Sequence, residues 1–223
     1  MKQNPVTRDR VDLVLNLLIV LTTAGAVLSY FIGGPDVLGS QGIMCFRYFT
    51  TDSNILAAIA SLLYLSFRLS GRPVPAWVTV LKFTGTVAVS ITFLVVVFFL
   101  APMGAVNGNG FQTVVMFFSG AVFVLHFTTP VLSFISTVLL EKEPALSRGK
   151  AVWGVVPTAV YAAVYLYMVV FAERWTDWYG FTFGGHYEVI PAVIAVMLAF
   201  SLGLSFSERR VRNRQGRRDK EVK

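Results

Sequence analysis

"WVTVLKFTGTVAVSITFLVVVFFLA", residues 77–101, carries one charge, Lys82, in an otherwise apolar run. At about 1.5 Å of rise per residue, a helix of this length crosses the roughly 30 Å hydrocarbon core of a bilayer. Five further stretches on either side repeat the pattern, at 11–32, 45–69, 112–139, 151–171 and 188–206. The breaks between them are turn-forming or charged, as in "GGPDVLGSQG" at 33–42, "SGRPVPA" at 70–76 and "EKEPALSRGK" at 141–150. Hydrophobic residues make up 55% of the chain and charged ones 14%, with a mean hydropathy of +0.67, which places it among integral membrane proteins. The run from Val11 is followed by others and ends in no small-residue cleavage site, so it reads as a retained helix and not a signal peptide. The expected fold is all-α, a bundle of six transmembrane helices over 1–207 with a basic tail at 208–223.

Lysine and arginine set the expected orientation. Lys2, Arg8, Arg10, Arg68, Arg72, Lys82, Lys142, Arg148, Lys150 and the tail "ERRVRNRQGRRDKEVK" fall on one side of a six-span chain, and Arg47 and Arg174 on the other. The positive-inside rule then puts both termini in the cytoplasm of a multi-pass protein of the cell membrane. By the same rule the net charge of +7 is a topology signal, and no nucleic-acid partner is expected. One cysteine, Cys45, and two histidines, His126 and His186, argue against a disulfide, a thiolate cluster or a metal centre. No cofactor is expected.

Two polar constellations interrupt the apolar runs. "FRYFTTDSN", 46–54, opens the second span, and helical spacing gathers Arg47, Thr50, Thr51 and Asn54 on one face with Asp52 pointing away. A capping reading makes Thr51 or Asp52 the N-cap and leaves Arg47 among the headgroups. In the fourth span Gln112, Ser119, His126 and Ser133 recur every seven residues, with Thr129 beside them, as one polar stripe facing the bundle. Pro130 lacks the amide that would bond the His126 carbonyl, so a bend is expected at the histidine. Ionisable groups at membrane depth are functional candidates, because each must be paired or line a wet cavity.

Together, "FRYFTTDSN" and "LHFTTPVLSF" resemble the androgen-induced-gene family of small multi-pass membrane proteins and its bacterial relatives. The resemblance implies hydrolysis of fatty acid esters of hydroxy fatty acids by an intramembrane threonine and histidine. Phe46, Arg47, Tyr48, Phe49 and Thr50 match the family's pattern and carry the nucleophile role to Thr50. His126, with Thr128, Thr129 and Pro130, carries the histidine role, although Phe127 intervenes before the threonine pair. The chemistry agrees with that assignment, since a threonine hydroxyl needs a base and a buried neutral histidine is one. Asn54 is the expected oxyanion donor and Arg47 the expected holder of a substrate carboxylate, with Ser119 and Thr129 also lining the substrate site. The expected partners are a lipid or fatty-acyl ester and the bilayer. The absence of a G-x-S-x-G elbow leaves no support for a serine-hydrolase triad.

Helix geometry raises an obstacle, because Thr50 stands near the outer end of its span and His126 near the middle of its own, on the order of 10 Å apart along the axis. A second span beginning nearer Gly42 would close that gap. Two other readings are a non-catalytic carrier or channel lined by Arg47, Asp52 and His126, and a structural membrane protein in which Thr50 and His126 stay apart.

Overall fold

The computed structural model describes residues 5–33, 41–103 and 115–221. Their long elements are all helical: α1 (Pro5–Ile32), α2 (Phe49–Leu69), α3 (Ala76–Met103), α4 (Gly120–Leu140), α5 (Arg148–Phe171) and α6 (Ile190–Glu221). Among the described residues there is no strand. Five of these helices, all but α2, are long and apolar enough to cross a membrane. At 21 residues α2 has the length, but its first turns carry Thr50, Thr51, Asp52, Ser53 and Asn54. It packs between α1 and α3, where buried polar groups find partners on neighbouring helices. Gly85 of α3 makes that packing close, since a Cβ there would come within 2.9 Å of the Ala57 Cα.

Charged side chains gather at one end of the bundle. Lys82, 2% exposed, donates to the Ser136 hydroxyl at 2.9 Å, pairs with Glu141 at 3.1 Å and sits 3.8 Å from the centroid of the Tyr64 ring. Asp12 accepts from Tyr64 at 2.8 Å and from Ser136 at 2.6 Å. Arg68 bridges Asp9 and Glu143. Lys82 is thus an interior residue of the helix bundle rather than a loop charge, and it is compensated as a buried cation must be. The basic segment from 208 onward continues α6, and Arg212 ties it down by donating to the carbonyls of Glu141 at 2.9 Å and Thr137 at 3.2 Å.

Arg47 and Trp178 mark the opposite end, stacked with the guanidinium 5.3 Å from the ring centroid. Here a short 3-10 turn, Gly42–Arg47, leads into α2. The N-cap of α2 is Tyr48, with no side-chain capping bond, so Thr51 and Asp52 stand inside the first turn and the capping reading does not hold. In α4 the regular helix begins only at Gly120, whose φ of +50 is left-handed, after an extended Ser119. The fourth span expected from 112 therefore starts later, and His126 stands about two turns from its outer end. That shortening narrows the axial gap to Thr50.

Candidate active site

Thr50 lies in the first turn of α2 and His126 in the third span-capable helix, α4. A wide π-helical turn, Val124–Thr128, surrounds the histidine, closed by the Thr129 amide on the Val124 carbonyl. Pro130 offers no amide to the His126 carbonyl, so the wider register falls where the α-helical bond is missing. Both side chains are buried, Thr50 at 8% and His126 at 7% exposure. Thr50 Oγ1 is 3.1 Å from His126 Nε2. On its other side the ring reaches the Val122 carbonyl, with Nδ1 at 2.8 Å. A carbonyl only accepts, so Nδ1 carries the hydrogen and Nε2 presents its lone pair to the Thr50 hydroxyl. Phe117 meets the imidazole edge-on, at 5.7 Å between ring centroids.

The other expected residues take different places. Asn54 donates to the carbonyls of Thr50 at 2.7 Å and Leu125 at 2.9 Å. Both amide hydrogens are used, so Asn54 ties α2 to α4 beside the histidine and has no hydrogen left for an oxyanion. Arg47 donates to the Tyr48 hydroxyl at 2.9 Å and stacks on Tyr48 and Trp178. Thr129 is buried against the Thr23 hydroxyl at 3.4 Å. Ser119 is exposed and donates to the Met116 carbonyl at 3.2 Å. Of the seven-residue stripe, His126 and Ser133 are buried, Ser119 is not, and Gln112 lies outside the described residues.

Beyond Thr50 opens a cavity of about 480 Å³ between α2, α3, α5 and α6, within the size range of small-molecule sites. Its walls are apolar, with Ile91, Val95, Phe99, Leu166, Ile194 and Met197 among the residues lining it. Thr50 lines it; Thr51, Arg47, Asp52 and His126 do not. Tyr161 and Tyr179 line it as well, and no motif in the sequence marks either as part of a site. The only sequence signal was the aromatic density of the loop that contains Tyr179. Compared with known proteins, the chain matches no family model, no curated protein and no solved structure.

Proposed function

We propose that this protein is an intramembrane hydrolase of lipid esters, with Thr50 as nucleophile and His126 as its base. The observation that carries the reading is the 3.1 Å contact between Thr50 Oγ1 and His126 Nε2, with Thr50 in the wall of an apolar cavity. As Oγ1 bonds to the ester carbonyl carbon, its proton moves to Nε2 and the carbonyl π electrons move onto oxygen. Collapse of that oxyanion breaks the bond to the leaving alcohol, which takes the proton from Nε2 and leaves an acyl-threonine. Water, deprotonated by the same nitrogen, then releases the fatty acid and restores the hydroxyl. The apolar walls suit an acyl chain. They do not suit a carrier path through Arg47 and Asp52, since neither lines the cavity.

The same reading treats α2 as a sixth span, its polar first turns serving the site, and puts both termini in the cytoplasm with the charged end of the bundle. It is consistent with the resemblance to the androgen-induced-gene family, which has the same pair of residue types.

Turnover of fatty-acyl esters by detergent-purified protein tests the pair. Thr50→Ala and His126→Ala should each lose on the order of 10³-fold or more of kcat, and the double variant should be little worse than either, because nucleophile and base act as one unit. Thr51→Ala should retain most activity. Full turnover by a folded Thr50→Ala protein would overturn the assignment.

A further inference from the structure

The cavity has a floor at one end and an opening at its side, and Thr50 stands between them. Tyr161 marks the level of Thr50 on α5: its ring packs on Phe49 at 5.1 Å between centroids, and its phenol donates to the Arg47 carbonyl at 2.7 Å. Toward the charged end of the bundle, the innermost lining residues are Ile91 of α3, Val155 of α5 and Met197 of α6. Ser201 donates to the Ala151 carbonyl at 2.6 Å, so Met197 and Val155, each four residues nearer the Arg47 end, stand at one depth. Beneath them Phe83, Val87, Ala88, Ala151 and Leu204 are buried in one apolar cluster, and none of these lines the cavity. That end is packed shut. From Tyr161 back to Val155 the axis of α5 runs about 9 Å, which is the depth of this floored arm.

The rest of the cavity opens along α5. Ala159 and Ala163 line it and are exposed, beside Val160 and Val164, which face away from the bundle at 58% and 48% exposure. Across the opening, Ile194 of α6 lines the cavity and is 45% exposed. All of these are apolar positions within span-capable helices, so the opening faces lipid and not water.

We propose that the floored arm holds the acyl chain of the ester, with Val155 and Met197 setting its length and the alcohol lying on the open side. The assignment rests on the hydrolase reading and deepens it. In acyl transfer the alcohol departs first, while the acyl group stays bonded to Thr50 until water arrives. The alcohol therefore needs the side with an exit, and the acyl chain takes the side without one. Selectivity falls on the acid, because a chain longer than the arm must displace the packed side chains of the floor. The alcohol, next to lipid, is chosen loosely.

A series of p-nitrophenyl esters of straight-chain acids tests this. In the wild type kcat/KM should hold or rise with acyl length until the chain reaches the floor, then fall about tenfold or more. Met197→Ala should move that break to longer acids and Val155→Phe to shorter ones, and Met197→Ala alone decides if Val155→Phe does not fold. The break is read within each protein, so a loss of stability that scales every rate leaves it in place. Esters of one short acid with alcohols of increasing length should show no break. Free fatty acids of increasing length, followed by the rise in unfolding temperature, should show the break of the acyl series without turnover. An acyl series with no break, a break that stays in place in the variants, or one that follows the alcohol would overturn the assignment and leave the hydrolase reading standing. A break in fatty-acid binding that moves in Met197→Ala, in a protein without Thr50-dependent turnover, would overturn the hydrolase reading and leave the arm as a chain-binding site. Neither turnover nor length-dependent binding would overturn both.

Discussion

Asn54 joins the helix of Thr50 to that of His126. Its amide spans the carbonyls of Thr50 and of Leu125, one residue before His126, so the contact between Thr50 and His126 depends on a side chain outside the pair. Asn54→Ala should therefore leave two buried carbonyls short of a donor and cost about 1–3 kcal/mol of stability. Thermal unfolding in detergent should show a lowered transition, and kcat should fall by less than in Thr50→Ala; unchanged unfolding would contradict the tie. Thr50 and His126 each stood out in the sequence as polar side chains in apolar runs, but helix spacing set them on the order of 10 Å apart and only the resemblance paired them. The use of Asn54 was not legible, since spacing places it on the face of Thr50 without showing that the Leu125 carbonyl lies within reach. The surroundings of Arg47 were hidden for a similar reason: the sequence shows a cation at the end of a span, but not the Trp178 ring that arrives from a loop 131 positions later.

At the scale of elements, the loop between α5 and α6 carries Trp175, Trp178, Tyr179, Phe181 and Phe183, a composition that suits both the membrane interface and a roof over a pocket. In the structure it roofs the cavity through Tyr179 and Phe181, both of which line it. Asp177 is its latch. Partial burial would raise the Asp177 carboxyl, but hydrogen bonds from Thr182 and Tyr165 and from the Phe181 and Thr182 amides outweigh burial and hold it below its ordinary value. A lowered folded value means that the latch contributes fully above the ordinary carboxylate range and is lost as pH falls through the lowered value. The loop should thus stay closed at neutral and mildly acidic pH and loosen only in strong acid. Asp177→Ala should open it at every pH, seen as faster hydrogen exchange at Phe181 and Thr182 and a raised KM. Exchange equal to wild type would show that the aromatic cluster holds the loop without the carboxylate. The late start of α4 was also hidden in the sequence, because the apolar run continues through the bend at Ser119 and Gly120 and hydropathy does not register a left-handed glycine.

Across the whole molecule, the two ends are chemically unlike. One gathers Asp9, Asp12, Arg68, Lys82, Glu141 and Glu143 into paired charge, and the other carries Arg47 and Trp178 beside the cavity. Five span-capable helices were visible as apolar runs, and α2 was visible as a run with a polar beginning. Composition could not show how α2 sits between α1 and α3, which is what lets its polar first turns face partners instead of lipid. If α2 crosses as well, Gln41 and Arg72, which flank it in the chain, lie on opposite sides of the membrane. Cysteines at Gln41 and Arg72 in an otherwise cysteine-free variant should then react with an impermeant maleimide from outside and inside respectively, and labelling of both from one side would contradict six spans.

Covalent capture asks whether Thr50 is a nucleophile activated by His126. Purified protein is treated with a lipophilic fluorophosphonate and the adduct is mapped by peptide mass spectrometry. A single adduct on Thr50 is expected, absent in His126→Ala and present in Thr51→Ala. An adduct on another residue, or labelling of Thr50 that persists undiminished without the imidazole, would contradict it.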